Sequence, residues 1–316
     1  MDSKKISYTI ASLSPFSPGL TYMILSAASF CLMTVFVKLA GETLPTIQIV
    51  FVRGLFTLLA TAVLIYREKV YAFGSHKMLL IMRGVSGTLA LFLVYESIKR
   101  FPLSEATVIQ YLFPIFTALV APLIISEAIN KKVFGAILIG LTGVYTVLDF
   151  PFLIKTTNIS VYSIGIAITG SFLTSVAYVL VRKATKVNEH PLVVMFYFPL
   201  FTVPMCLPFL ISNWVHPSPE VWGYLFLVGI CTQSGQFFLT HGYKELPAAE
   251  AAPLSYVQVP FAMIMGAIFF DEIITINFII GSTLVLISIF IVMANREKKI
   301  NLMKSLLKGK WWFRNK

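Results

Sequence analysis

Long apolar runs alternate with short polar breaks along most of the chain. Each run is close to the roughly 20 residues that an α-helix needs to cross the hydrocarbon core of a bilayer. The breaks carry prolines, glycines or charged residues, which are typical of turns at a membrane surface. The pattern predicts an all-α membrane protein with ten transmembrane helices, over residues 18–39, 46–66, 78–99, 103–126, 132–150, 160–182, 190–212, 219–241, 247–269 and 273–294.

The composition excludes an ordinary soluble domain. Of the 316 residues, 57% are hydrophobic and 12% are charged, whereas soluble domains carry about 25% charged residues. We interpret the first apolar run as a retained span, because no small-residue cleavage site follows it. We therefore predict an integral membrane protein, located in a bacterial inner membrane.

The net charge of +11 is concentrated after the last predicted span. Residues 295–316 are basic and amphipathic and contain Trp311 and Trp312, which predicts an interfacial helix on an anionic lipid leaflet. Lysine and arginine are also more frequent in the loops on the side that holds both chain ends. This bias predicts that both termini are cytoplasmic. With the charge at a membrane surface, we predict lipid partners and no nucleic-acid partner.

An internal repeat is the strongest signal of organisation. Five helices per half is an odd number, so the second half enters the membrane from the opposite side, as in inverted-repeat carriers. The predicted parts are a cytoplasmic tail (1–17), a first repeat (18–150), a linker (151–159), a second repeat (160–294) and the basic tail (295–316). Four residues recur at one offset of 145 positions (247 − 102): Pro102, Glu105, Tyr111 and Glu127 match Pro247, Glu250, Tyr256 and Glu272.

These motifs resemble the EamA repeat of the drug/metabolite transporter superfamily. The second half departs from the pattern, because its third helix begins with Gly229-Ile230 where the first half has Arg83-Gly84. The resemblance implies ten spans, a central cavity between the halves, and export or exchange of amino acids, nucleotide-related metabolites or amphipathic compounds. It rests on Arg83-Gly84-Val85-Ser86-Gly87, Tyr95, Pro102-Leu103-Ser104-Glu105-Ala106, Pro114 and Glu127, with a weaker copy at Pro247, Glu250-Ala251, Tyr256, Pro260 and Asp271-Glu272.

Four ionisable residues lie inside predicted spans, where charge is costly and usually functional. Their depths suggest one pair on each side of the membrane, Arg53 with Glu105 and Arg83 with Glu250. We hypothesise that these pairs hold or gate the two halves. The alternative is that each charge reaches the nearby interface or stabilises a helix end. Glu127 is interpreted as a structural residue that ends a span and meets water.

Polar side chains near the predicted midplane are the candidate substrate-binding residues. Amide and phenol groups in lipid must find partners, so they face the bundle interior or a wet cavity. Together with surrounding phenylalanines they suit a zwitterionic or amphipathic organic solute. The alternative is hydrogen bonding between helices without a ligand. The candidates are Tyr95, Gln110, Tyr111, Tyr178, Gln233, Gln236, Tyr256 and Gln258.

The sequence nominates no metal site, cofactor or catalytic group. The three cysteines form no C-x-x-C pair and the four histidines are scattered. No phosphate-binding loop for ATP is present, so coupling would use a proton, an ion, the membrane potential or counter-exchange. A membrane enzyme is disfavoured because no catalytic cluster is found. A channel is disfavoured because inverted repeats are typical of carriers.

We therefore predict a secondary transporter that moves a small organic metabolite by alternating access. Export of an amino-acid-like or amphipathic solute is the first hypothesis. Uptake or exchange of a nucleoside-type metabolite such as S-adenosylmethionine is the alternative. The sequence leaves the oligomeric state open between monomer and dimer.

Overall fold

The computed structural model describes residues 17–100, 103–150, 160–211, 213–271 and 273–314, with the backbone alone at 99, 103–105 and 297–314. We number its α-helices in chain order, and a 3-10 helix, Ala252–Val257, lies between α10 and α11. The bounds are α1 Pro18–Ala40, α2 Thr46–Arg67, α3 Lys77–Arg100, α4 Leu103–Gln110, α5 Phe113–Ile125, α6 Lys131–Val147, α7 Val161–Lys186, α8 Pro191–Leu210, α9 Pro219–Glu245, α10 Ala248–Ala251, α11 Gln258–Phe270 and α12 Ile276–Arg314.

The ten predicted crossings are all helical in the described chain. Eight of them are long and apolar enough to cross a membrane by length and composition: α1, α2, α3, α4 with α5, α7, α8, α10 with α11, and α12. The other two are α6, which has 17 residues, and α9, which carries Gln233 and Gln236 in a less apolar stretch. The predicted all-α membrane fold is confirmed.

The fourth and ninth crossings are each broken near their middle, whereas the sequence pattern predicted continuous helices. The fourth is interrupted at Tyr111 and Leu112, and the ninth passes through the 3-10 helix. Pro114 and Pro253 lie beside these breaks. Proline has no N–H to donate and disfavours helical geometry in the residue before it, so both sites are weak points in a helix.

The offset of 145 residues also relates the helices of the two halves. α5 begins at Phe113 and α11 begins at Gln258 (258 − 113 = 145), and both helices contain 13 residues. Each then ends on a left-handed residue, Ser126 with φ 53° and Asp271 with φ 53°. Matching breaks, lengths and caps confirm that the chain is built from two structural repeats.

Contacts between helices follow a two-fold pattern. α1 packs mainly on α9, its counterpart α7 packs mainly on α3, and α2 meets α8. Gly84 of α3 lies against the ring of Phe201, and at the same offset Gly229 of α9 lies against the ring of Phe56. Because glycine has no Cβ, each ring reaches the opposing backbone. Such matched pairs are expected when two repeats face each other across a pseudo-two-fold axis.

The last helix continues beyond the predicted end of the tenth span. α12 runs without interruption to Arg314, for 39 residues. At 1.5 Å per residue it is about 58 Å long, roughly twice the hydrocarbon thickness. The backbone of the basic tail thus extends the tenth crossing, since its residues are mostly good helix formers. The predicted contact of this tail with lipid stays a prediction.

The two ends of the bundle are called face A, where α1 begins, and face B, where α1 ends. Face A carries the connections α2–α3, α5–α6, α7–α8 and α9–α10. Face B carries the connections α1–α2 and α8–α9, which are joined by Gln48: its side chain bonds the backbone of Val215 at 2.6 Å and 3.0 Å.

Candidate functional site

A cavity of about 440 Å³ lies between the two repeats. It extends from Tyr111 and Gln258, at the breaks of the fourth and ninth crossings, to the ends of α1, α6 and α11 at face B. Both repeats therefore contribute to its wall. The lining residues are Phe30, Cys31, Thr34, Val35, Lys38, Thr107, Tyr111, Leu148, Gln258, Val259, Ala262, Met263, Met265, Gly266 and Phe270.

The inner end of the cavity is polar and lies where the helices break. The Tyr111 hydroxyl donates to Gln258 Oε1 at 3.4 Å, and the Cys31 Sγ lies 3.2 Å from the Gln258 carbonyl oxygen. Tyr256, the repeat partner of Tyr111, donates from its hydroxyl to the Tyr111 carbonyl at 3.3 Å. The two matched tyrosines thus meet between the repeats. A few oriented polar groups at the end of an apolar cavity are typical of a site for a small organic molecule.

The mouth of the cavity at face B carries a cation. Lys38 is exposed near the end of α1, and its Nζ lies 3.8 Å from the centroid of the Phe270 ring. An ammonium group over an aromatic face is a favourable arrangement. This contact joins the ends of α1 and α11 across the cavity mouth.

The counterpart of this cavity in the other repeat is filled. At the offset of 145, Gln258 corresponds to Phe113 and Ala262 corresponds to Thr117, which is fully buried. The Phe113 ring packs edge-on against Tyr178 of α7 at 5.4 Å, and Tyr178 packs against Tyr243 at 5.2 Å. We call the space between α1 and α11 the open gap and the packed contact between α7 and α5 the closed gap. Matching parts of the two repeats are therefore in different states.

Face A is sealed by an ion-pair network centred on Glu127. Its Oε1 accepts from Arg182 Nε at 2.9 Å and lies 3.5 Å from Lys186 Nζ, while its Oε2 accepts from the Ala248 N–H at 2.9 Å. Arg182 Nη1 also donates to the Lys244 carbonyl at 2.6 Å. Glu127 lies just after the end of α5, as expected of a residue that ends a span, but its side chain is only 13% exposed and is held by ion pairs. It joins the first repeat to α7 and α10 of the second.

A second polar contact joins the repeats at face A. The Glu189 carboxylate accepts hydrogen bonds from the N–H groups of Ser75 and His76 and from the His76 ring, at 2.6–2.8 Å. Burial acts to raise the pKa of Glu189, but these hydrogen bonds outweigh it and the pKa is lowered. Gly74, at φ 61°, lets the loop pass close to this carboxylate.

No ion pair of Arg53 or Arg83 is found among the side chains that the structure describes. Arg53 Nη1 lies 3.6 Å from Met33 Sδ, and the Arg83 guanidinium lies 5.0 Å from the Phe198 ring centroid. Glu250 is buried in α10. The Glu105 side chain lies outside what the structure describes, so the pair of Arg53 with Glu105 stays a prediction.

Gln233 and Gln236 lie beside Arg53 at a small cavity of about 10 Å³ between α2, α8 and α9. The Gln233 amide exchanges hydrogen bonds with the Thr61 hydroxyl at 3.1–3.2 Å. This space is about large enough for one water molecule. The structure therefore places these two glutamines in a different location from Tyr111 and Gln258.

Two further candidates lie away from the main cavity. Tyr95 lines a separate pocket of about 60 Å³ at the face B side of α2 and α3. Gln110 Nε2 donates to Thr174 Oγ1 at 3.2 Å, a bond between helices of the two repeats. Tyr178 and Tyr256 are packed beside the cavity rather than in its lining. Of the eight candidates, the structure brings Tyr111 and Gln258 into the cavity wall.

Sequence reasoning missed the Glu127 network and the role of Lys38 at the cavity mouth. A signal for the network was present, because Glu127 recurs at the offset of 145 and Arg182 lies close to the predicted end of the sixth span. Lys38 carried no signal beyond its place near the end of the first span.

The chain is similar over most of its length to several curated transporters. It is 27% identical to the pseudopaline exporter CntI of Pseudomonas aeruginosa, over 85% of this chain and 94% of that protein. It is 27% identical to solute carrier family 35 member G1 of Homo sapiens, over 81% of this chain and 73% of that protein. It is 22% identical to the S-adenosylmethionine uptake transporter of Rickettsia prowazekii, over 92% of this chain and 97% of that protein.

A solved crystal structure shares the fold. It is 15% identical in sequence and superposes with a TM-score of 0.74, over 87% of this chain and 98% of that one. The model of the EamA-like transporter family matches residues 17–149 and 161–294, which are the two repeats seen in the structure. Apolar crossings, matched repeats and the cavity between them agree with this match, and the chain is an integral membrane protein that belongs to the EamA-like transporter family.

Proposed function

We propose that the protein is a secondary carrier that exports a small amino-acid-like or amphipathic metabolite by alternating access. The observation that carries the proposal is the difference between the matched gaps. One gap holds a cavity of about 440 Å³ that reaches face B, while its counterpart is packed and face A is sealed. Exchange of these two states between the repeats would move the cavity from one face to the other.

The cavity chemistry supports a small organic solute. Tyr111 and Gln258 offer hydrogen-bond donors and acceptors at the inner end, and Phe30, Met263 and Met265 offer apolar contact. A solute with polar and apolar parts matches such a lining. The thioether of methionine adapts to different ligand shapes, which suits a carrier for amphipathic compounds.

The relatives support two directions of transport. The Pseudomonas aeruginosa protein is named an exporter of pseudopaline, and the Rickettsia prowazekii protein is named an uptake transporter of S-adenosylmethionine. We place export first because the exporter shares more identity with this chain. Uptake or exchange of a nucleoside-type metabolite is the second candidate, supported by the relative that matches along 92% of the chain.

We place both termini in the cytoplasm of a bacterium, with the protein in the inner membrane. The Lys/Arg bias of the loops supports this orientation. Face A is then cytoplasmic, and the cavity opens to the outside. A state that is open outward and sealed inward is the state from which an exporter releases its cargo.

Transport in proteoliposomes tests the proposal. Vesicles holding the purified chain are loaded with a mixture of the twenty amino acids and S-adenosylmethionine, and efflux is followed by mass spectrometry. A carrier gives efflux that saturates with concentration and is stimulated by solute on the opposite side. Ala262→Trp, which fills the cavity, is the matched negative control. Flux that rises linearly with concentration would instead identify a channel, and preferential exchange of S-adenosylmethionine would favour the second candidate.

A further inference from the structure

Two buried arginines have no carboxylate partner in the described chain. Arg83 is 2% exposed and Arg53 is 8% exposed. The described residues accept no hydrogen bond from the Arg83 guanidinium, and its buried Nε is without a partner. A buried ion without a counter-ion is strongly unfavourable in a membrane protein. Two such cations in one protein therefore require a reason other than stability.

The pseudo-symmetry shows that the fold does not require either charge. At the offset of 145, Arg53 corresponds to Phe198 and Arg83 corresponds to Val228. The neighbouring glycines Gly84 and Gly229, by contrast, are the same in both repeats. The packing positions are thus shared, whereas the arginines are departures from the repeat. Neither charge recurs in the second repeat, although Arg83-Gly84 belongs to the motif of the first repeat.

The surroundings of the arginines are arranged to receive a negative charge. Gly87 leaves room for the guanidinium, since a Cβ there would collide with Arg83 Nη1. Arg53 shares the small space with hydroxyl and amide groups, those of Thr57, Thr61, Thr202, Thr232, Gln233 and Gln236. Hydroxyl and amide groups can donate further hydrogen bonds to an anion.

Phe198 of α8 relates the two arginines to each other. The Arg83 guanidinium lies 5.0 Å from the Phe198 ring centroid, and Phe198 also lines the small space beside Arg53. Met195 and Pro199 of the same helix add apolar surface to this space. The two cations therefore border one part of the bundle, between α2, α3 and α8.

We propose that Arg53 and Arg83 together bind a carboxylate of the transported solute, which makes the substrate class an organic acid with an apolar part. This inference rests on the proposed function as a carrier. Guanidinium groups present parallel N–H donors that match the two oxygens of a carboxylate. The bound anion supplies the missing negative charge once the alternating movement of the repeats enlarges the small space beside Arg53, and Met195, Phe198 and Pro199 offer contact to the apolar part of the solute.

Ligand-dependent thermal unfolding of the full chain in detergent tests the assignment. The probes are glutarate and citrate, their methyl esters, and inorganic phosphate, all at constant ionic strength. A ligand that binds the folded state raises the unfolding temperature with its concentration. We expect both carboxylates to raise it in a saturable way and the esters to have no effect. Arg53→Gln and Arg83→Gln should weaken the apparent affinity roughly tenfold or more, whereas the surface variant Arg67→Gln on α2 should not.

Stability without ligand separates a binding role from a structural one. Arg83→Met keeps the packing of the side-chain stem and removes the buried charge. We expect it to retain or raise the unfolding temperature, because the unpaired cation is removed. A fall in both Arg83→Met and Arg83→Gln would identify a structural arginine and overturn the proposal.

The remaining outcomes are also decisive. Equal shifts for acids and esters, or shifts unchanged in both glutamine variants, would overturn the carboxylate site. A shift by phosphate as large as that by citrate would overturn the assignment to a carboxylate. If saturable efflux from proteoliposomes persists in each of these cases, the carrier function stands and the organic-acid class alone fails. Absence of saturable efflux would contradict the proposed function itself.

Discussion

The open gap and the closed gap are built from matching helices, yet they are packed in different ways. In the open gap, Gln258 and Ala262 of α11 line the cavity. In the closed gap, their counterparts Phe113 and Thr117 are buried against α7. One contact is thus packed and its counterpart leaves a cavity. In the proposed carrier, a single pair of helix contacts, used twice, would define both states.

The seal at face A is expected to give the largest effect when it is broken. Arg182→Gln leaves the mostly buried Glu127 without its closest cation, and we expect a loss of roughly 3 kcal/mol in the free energy of unfolding. Arg182→Gln should also favour the alternate state, in which face A is open and face B is closed. A cysteine introduced at Thr34, in a chain whose three native cysteines are replaced, should then react more slowly with a water-soluble maleimide.

A double-mutant cycle checks that the effect comes from this contact. If Glu127 and Arg182 act as a pair, Glu127→Gln combined with Arg182→Gln should cost less than the sum of the single changes. Additive losses would show that the two residues stabilise the protein independently.

Matched substitutions in the two gaps are expected to give the next largest effect. Thr117→Leu adds volume to the packed closed gap, and we expect it to cost about 1–3 kcal/mol of unfolding free energy. Ala262→Leu, at the corresponding position of the open gap, projects into the cavity and should cost less than about 0.5 kcal/mol. It should still slow transport. Equal losses of stability in denaturant titrations would contradict the difference between the gaps.

Substitutions of the matched tyrosines, Tyr111 and Tyr256, compare the two repeats at the points where the helices break. Tyr256 is fully buried and bonds the Tyr111 carbonyl, so Tyr256→Phe should cost about 1 kcal/mol. Tyr111 lines the cavity, so Tyr111→Phe should raise the KM for transport several-fold with a smaller change in unfolding temperature. If both variants changed the KM equally, the distinction between Tyr111 in the cavity wall and Tyr256 beside it would be contradicted.

The smallest effect concerns pH and the Glu189 contact at face A. The folded-state pKa of Glu189 is lowered from the ordinary value of 4.5, so its ionised form stabilises the folded chain above that pH. This contribution is lost as the pH falls below 4.5 and through the lowered pKa. Glu189→Gln should be less stable near neutral pH and show a shallower loss on acidification. A parallel pH profile in both proteins would exclude this role.

Much of the architecture could be predicted from sequence because it depends on hydropathy and repetition. Apolar runs of spanning length set the ten crossings, and the recurrence of Tyr111 as Tyr256 set the repeat. The positions of the breaks at these tyrosines were not specified, because a proline permits a break without requiring one. Their consequence is that the polar groups of both repeats meet at one point.

The site was less predictable, because hydropathy gives depth but not direction around a helix. Arg53 was matched to an acidic residue by its depth, yet the described contact of its guanidinium is with Met33 Sδ. Gln233 and Gln258 are both amides in spans, but they lie in separate cavities. Which residues share a cavity is decided by the rotation of each helix, and a single sequence does not specify it.

The Glu127 seal has an energetic consequence for switching. Its partners lie at the edge of the bundle, where Arg182 and Lys186 are 15% and 41% exposed, so water can solvate every group when they separate. Separating these groups into water costs less than deleting one of them, because no buried charge is then left without a partner. In the proposed carrier, a solute that binds the alternate state roughly 5.5 kcal/mol more tightly would shift the population from 1:99 to 99:1. The seal would then act as a latch that leaves both states accessible, so that the bound solute decides which one prevails.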